Sequence, residues 1–205
     1  MRILFLILVA LTALVACDNK LTPSVPKIAF VNTDITGIDY ARKFSLIDHN
    51  GQPRTIEDFR GKLVLVFFGY TQCPDVCPTT LSEMANVMQL LEKDADKVQI
   101  LFVTLDPDRD TPALLSRYVP AFHPRFLGLV GDKAATDEVA KEFKLFVQKI
   151  PAKSGSGYTI DHTAGSYLFD TQGHIRLFIR HGQGADPIVK DIRALLDSTS
   201  NPQQE

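Results

Sequence analysis

Residues 62–68, Lys-Leu-Val-Leu-Val-Phe-Phe, constrain this chain more than any other stretch. After the lysine the run is apolar without interruption, and Gly61 and Gly69 bound it. Alternation of apolar and polar side chains marks a strand with one wet face, whereas an unbroken apolar run marks a strand covered on both faces. A layered α/β arrangement supplies that double cover. Downstream, Leu81, Met84, Ala85, Val87, Met88 and Leu91 recur at helical spacing and predict a helix over about 78–93. The order is buried strand, short loop, helix.

The pattern repeats. A second strand is predicted over 98–105, ending at Asp106-Pro107, and Thr111 followed by Pro112 supplies a cap and a first-turn proline for a helix through Val119. A third strand over 126–130 precedes a helix that Asp132 or Thr136 can cap and that runs to about Lys144. Such βαβαβα alternation implies parallel neighbours joined by right-handed crossovers. Ahead of it, residues 44–47 enter a tight turn at Asp48-His49-Asn50-Gly51, and 55–59 carry the chain to Gly61. Behind it, 146–150 lead into a Ser/Gly-rich turn at 152–157 from which 158–162 return as a strand, and 166–169 and 175–180 form a second hairpin. Asp186-Pro187 opens a last helix with Ile188, Ile192, Leu195 and Leu196 on one face. The sum is an α/β, thioredoxin-like fold: a central mixed sheet, additional N-terminal strands and a β-hairpin insertion, in one domain over 37–197.

The ends read differently. Arg2 precedes an apolar run over 3–11, shorter than the roughly 20 residues that span a bilayer, and side chains shrink toward Cys17, so residues 1–16 read as an export signal. Leu14-Val15-Ala16-Cys17 resembles a bacterial lipobox, in which the cysteine is lipidated and begins the mature chain, and Asp18 resembles an inner-membrane retention signal. The implied location is the periplasmic face of the inner membrane, with the membrane reached through the lipid anchor. Residues 17–36 are expected to form the lipidated terminus and a flexible tether, and 198–205 a disordered tail. With 22 Lys plus Arg against 24 Asp plus Glu, the chain is not a strongly basic nucleic-acid binder. Three cysteines are too few for a disulfide framework, so each needs its own explanation.

Cys17 is accounted for by the leader; the other two lie in Gly69-Tyr70-Thr71-Gln72-Cys73-Pro74-Asp75-Val76-Cys77-Pro78. Cys73 follows the buried strand and Cys77 sits at the helix start, where the helix end should lower a thiol pKa. The four-residue offset turns both sulfurs toward one side, so they can share a metal or close a disulfide. Two sulfurs fall short of the three or four protein ligands that zinc takes, whereas cuprous copper accepts two or three soft donors and an imidazole as a third. Of the five histidines, His49, His123 and His174 lie in turns or beside a proline and read as surface residues. His181, ending a strand, and His162, ending an extended segment, remain as candidate ligands, and spacing does not choose between them. The acidic cluster over 106–110 reads as loop capping and surface charge.

From about Gly37 to Asp197 the chain resembles the Sco/SenC family of membrane-anchored copper-binding proteins. The resemblance is carried, in order, by Asp58-Phe59-Arg60-Gly61-Lys62, by Phe67-Phe68-Gly69-Tyr70-Thr71 leading into Cys73-Pro74-Asp75-Val76-Cys77-Pro78, by Asp106-Pro107-Asp108-Arg109-Asp110-Thr111-Pro112, and by Asp161-His162-Thr163. It implies one copper ion, Cu(I) or Cu(II), held by Cys73, Cys77 and His162, with Asp161 a candidate to orient the imidazole. It also implies delivery to the copper-centre subunit of cytochrome c oxidase, with a periplasmic copper chaperone or thiol reductase as further partners. Gln72 departs from the histidine that many members carry before the first cysteine. The alternative is a thiol-disulfide oxidoreductase that reduces the oxidase cysteines, with Cys73 attacking and Cys77 resolving; a peroxide-reducing enzyme is a more remote possibility.

Overall fold

The computed structural model describes residues 28–152, 155 and 157–200. The expected signal over 1–16, Cys17 with its lipid, Asp18 and residues 201–205 lie outside them. In chain order the elements are β1 (Thr33–Asp34), β2 (Leu46–Asp48), β3 (Pro53–Arg54), β4 (Leu63–Gly69), α1 (Val76–Leu91), β5 (Val98–Thr104) and α2 (Pro112–Tyr118). They continue with β6 (Leu127–Val130), α3 (Lys133–Glu142), β7 (Val147–Pro151), β8 (Tyr158–His162), β9 (Gly165–Phe169), β10 (Ile175–Arg180) and α4 (Ala185–Ser200).

The apolar run becomes β4, in the middle of a sheet ordered β1-β10-β9-β4-β5-β6-β2-β3. Strands β4, β5 and β6 are parallel, and their other neighbours are antiparallel. Every residue of β4 and β5 is buried. Leu63, Leu65 and Phe67 point into a core shared with α1, with Leu115 of α2 and with α4; Val64, Val66 and Phe68 point into a second core with Val139 and Phe143 at α3 and with Phe44, Ile56 and Phe59. Lack of alternation thus reports two covered faces, as the sequence predicts. The mixed sheet and flanking helices form the thioredoxin-like α/β architecture.

Local signals work at the helix starts. Thr111 accepts from the Leu114 N–H at 3.2 Å ahead of Pro112, and of the two capping candidates for α3 it is Asp132 that accepts from Ala135 N–H, at 2.8 Å. The Ser/Gly-rich turn is flanked by β7 and β8, an antiparallel ribbon separate from the main sheet. This is the predicted hairpin insertion. No helix of the described residues is long and apolar enough to cross a membrane.

Both domain limits move outward. The chain is already part of the fold before residue 37, because the main-chain N–H groups of Val31 and Asn32 donate to Asp191 of α4, both at 2.8 Å, and the Asn32 amide adds a third bond at 2.9 Å. Asp191 is fully buried, and a carboxylate there needs donors from somewhere. Strand β1 then pairs with β10. At the other end α4 runs past Asp197 to Ser200, with the Ser198 and Thr199 hydroxyls donating to the Leu195 and Leu196 carbonyls at 2.8 Å each. The segment that carries the chain to Gly61 is a 3-10 turn, Ile56–Phe59; its entrance is tied by Asp58, which accepts from Thr55 N–H at 2.6 Å.

Candidate metal centre

Strand β4 delivers the chain to the cysteine loop at Gly69. A Cβ on this glycine would stand 2.8 Å from Cys77 Sγ and 3.0 Å from Phe102 Cε2, so the sulfur lies against the strand end only because no side chain is there. Cys77 is fully buried, and Cys73 above it is partly exposed. Both are free thiols, and the Cys77 N–H donates to Cys73 Sγ at 3.4 Å.

His162 arrives from the end of β8. Its Nε2 lies 3.9 Å from Cys77 Sγ across 85 residues of sequence. Nδ1 is 3.0 Å from the Thr163 carbonyl. A carbonyl only accepts, so Nδ1 carries the proton and Nε2 presents its lone pair to the sulfur. The Tyr70 ring meets the imidazole edge-on, centroids 6.2 Å apart. Among the described residues no three metal-ligating side chains are already gathered at bonding distance of one point. The Cys77 sulfur and the His162 Nε2 are nonetheless adjacent.

Burial dominates the electrostatics. It pushes the Cys77 thiol well up, helped by the bond with Cys73, against the lowering expected from the helix end. The magnitudes explain the reversal: a helix terminus contributes roughly 0.3–1 kcal/mol, under one pKa unit, whereas full burial moves an ionisable group by up to about 3–5 units. Burial also lowers the His162 pKa, partly opposed by the Thr163 carbonyl and the Asp161 charge. The imidazole is therefore held neutral, as a ligand must be.

The acidic loop after β5 is structural, not surface charge. Asp106 and Asp110 are fully buried. Asp110 accepts from the Thr71 N–H at 2.9 Å, the Thr71 hydroxyl at 2.6 Å and the Thr104 hydroxyl at 2.6 Å, which fixes the start of the cysteine loop. Asp106 accepts from the Tyr158 hydroxyl at 2.6 Å and pairs with Arg109 Nε. Arg109 Nη1 donates both to Gln72 Oε1 at 2.9 Å and to the Tyr158 carbonyl at 3.0 Å. Ile160 N–H donates to the Tyr70 hydroxyl at 3.2 Å, closing the ribbon onto the loop. Only Asp108 is exposed, paired with Lys149 at 2.7 Å. The missed signal was position: two carboxylates four apart at the end of a doubly buried strand have little access to water.

Other candidates fall away. Asp161 is exposed on β8, and the ring is oriented by the Thr163 carbonyl instead. His181 is exposed with Nδ1 2.9 Å from Thr80 Oγ1; since that hydroxyl donates to Val76 O at 2.8 Å, His181 must donate to it. His49 is more than a surface residue, because its Nδ1 accepts from Gly128 N–H at 3.0 Å and locks the turn to β6.

A family model described as SCO1/SenC matches residues 33–197. The mitochondrial SCO2 homolog of Mus musculus is 40% identical over 152 residues, which are 73% of this chain and 60% of that protein; the chain spans about three fifths of that relative's length. The structure of Bradyrhizobium japonicum ScoI with copper bound is 40% identical, with a TM-score of 0.69 over 75% of this chain and 97% of that one. The apo Sco1 of Thermus thermophilus is 37% identical, with a TM-score of 0.72 over 83% and 99% of the two chains.

Proposed function

Because this chain belongs to the SCO1/SenC family, we propose that it is a copper carrier, taking one copper ion on Cys73, Cys77 and His162 for assembly of the dinuclear copper centre of cytochrome c oxidase. The observation that carries the reading is the approach of His162 Nε2 to Cys77 Sγ at 3.9 Å, with its lone pair freed by the bond from Nδ1 to Thr163. Two thiolates and an imidazole suit Cu(I), and imidazole also accommodates Cu(II). Capture displaces the protons of both the Cys73 and the Cys77 thiol to solvent, and the two thiolates with Cu(I) sum to one negative charge. Cys73, the more exposed donor, is the ligand through which a recipient can exchange, so the ion passes between proteins without release. Oxidation of the pair to a disulfide removes both sulfur donors and turns binding off.

The reading extends to location and partner: a lipid on Cys17 at the periplasmic face of the inner membrane, and the copper-centre subunit of the oxidase as recipient. A second reading, thiol-disulfide exchange, draws support from the partly exposed Cys73 above the buried Cys77, the usual disposition of attacking and resolving thiols. Anaerobic copper titration of the reduced chain, followed by X-ray absorption, tests the first: one copper with two sulfur donors and one imidazole is expected, and absence of tight binding overturns it. Copper uptake abolished in His162→Ala favours the carrier, whereas full thiol exchange without any dependence on His162 favours the reductase.

A further inference from the structure

The peptide unit between Val76 and Cys77 is hydrogen-bonded on both sides. Its N–H donates to Cys73 Sγ at 3.4 Å, and its carbonyl accepts the Thr80 hydroxyl proton at 2.8 Å. Thr80 is buried, and with its one proton spent on that carbonyl its oxygen only accepts. The donor it finds is the Nδ1 of His181, 2.9 Å away across 101 residues of sequence. His181 is itself held at its base, since its main-chain N–H donates to the Ala164 carbonyl at 3.4 Å, two residues past His162. The bonds therefore run in series, every donor pointing the same way: His181 ring, Thr80 hydroxyl, Val76–Cys77 peptide, Cys73 sulfur.

Hydrogen bonds in series polarise one another, each by about 10–30%. A peptide whose carbonyl accepts becomes a better donor at its N–H, so the exposed imidazole of His181 strengthens the bond that ends on Cys73. We propose that His181 is a positioning residue of the metal centre, acting through Thr80 and the Val76–Cys77 peptide to set the hydrogen bond that the Cys73 sulfur receives. Its consequence for copper rests on the copper-carrier reading. Cys73 is the more exposed of the two sulfurs and, in that reading, the one through which the ion is exchanged. A hydrogen bond on a ligating sulfur draws density from it and favours Cu(I) over Cu(II). His181 touches no ion in this role, and no proton changes owner along the series.

The test compares three variants of the full chain: His181→Phe keeps a ring and loses the donor, Thr80→Val removes the hydroxyl at nearly constant shape, and His181→Asn retains an N–H for Thr80. Hydrogen exchange of the Cys77 amide is measured without metal; the copper reduction potential, the sulfur-to-Cu(II) charge-transfer band and X-ray absorption are measured with copper bound. In His181→Phe and Thr80→Val the Cys77 amide exchanges faster, and the preference for Cu(I) falls by about threefold, a drop of about 28 mV for one electron. The band moves to lower energy, and His181→Asn restores all three. An unmoved amide or an unchanged potential overturns the role of His181 while leaving the carrier standing, and so does a loss that asparagine fails to restore. An imidazole donor lost from the copper in His181→Phe makes His181 a ligand and overturns the positioning role. Failure of the unsubstituted chain to take up copper overturns the carrier and, with it, the role at the copper centre.

Discussion

Arg109 holds Tyr158 by ring and by main chain: its guanidinium carbon lies 3.7 Å from the ring centroid, and Nη1 donates to the Tyr158 carbonyl at 3.0 Å. Tyr158 begins the strand that His162 ends, and the same Nη1 reaches Gln72, the neighbour of Cys73. One side chain therefore ties the imidazole half of the metal centre to the thiol half.

Removing that tie should loosen both the site and the fold around it. Arg109→Ala is expected to weaken Cu(I) binding by about 10–100-fold, the range for residues that hold ligands in place, measured by competition with a cuprous chelator. It also leaves Asp106 buried with only the Tyr158 hydroxyl as side-chain donor, a loss of roughly 3 kcal/mol in denaturant unfolding. Lysine should not rescue binding, because an ammonium does not reproduce the planar fork. Wild-type affinity in the alanine variant would reduce the contact to an incidental ion pair.

Gly69 should tolerate no side chain. In Gly69→Ala the new methyl meets Cys77 Sγ at 2.8 Å and Phe102 Cε2 at 3.0 Å, so the sulfur must move. An overpacking cost of about 1–3 kcal/mol is expected, visible as a lower melting temperature, together with weaker copper binding in the same titration. Retention of both properties would mean that the strand end yields easily.

His162 and Asp161 are adjacent but should behave oppositely. His162→Ala is expected to abolish tight copper uptake with little change in the melt of the metal-free protein. Asp161→Asn should alter affinity by less than the roughly tenfold that marks loss of an orienting partner, since the Thr163 carbonyl holds Nδ1. A larger loss in the asparagine variant would return the orienting role to Asp161.

The pH dependence has two limbs with opposite signs. Burial lowers the His162 pKa below 6.5, so the folded state binds fewer protons there than the unfolded chain; this contribution to stability is present above pH 6.5 and is lost as pH falls through the folded value. Burial raises the Cys77 pKa above 9.0, so its contribution is present below pH 9.0 and is lost as pH rises toward the folded value. The metal-free protein should unfold at highest denaturant between about pH 6.5 and 9. Within that window copper affinity should climb by about tenfold per pH unit for each proton displaced, a slope read from chelator competition. A flat profile would mean that the site is already deprotonated before copper arrives.

Much of the fold was legible because its signals are local. The unbroken 63–68 run could only be a doubly covered strand, and Thr111-Pro112 and Asp132 announce helix starts through their own hydrogen-bonding chemistry. The domain limits were less legible. Two prolines and few apolar side chains over 19–26 read as part of a tether over 17–36, but the docking of Val31 and Asn32 depends on a carboxylate some 160 residues away. The acidic loop was misread for the same reason: Asp106-Pro107-Asp108-Arg109-Asp110 is as polar as any surface turn, and only the ribbon and the cysteine loop folding over it bury the two carboxylates at its ends.

The sequence by itself determined the strand, loop and helix order, the pair of thiols at a strand-to-helix junction and, through its motifs, the resemblance that singled out His162. Tertiary structure alone decided that His162 meets Cys77, that a backbone carbonyl frees its Nε2, and that Cys77 holds its proton despite the helix end. Local identity sets propensities and caps, because those interactions reach only a few residues along the chain. Proximity and desolvation are sums over neighbours that the fold brings in from far away in sequence.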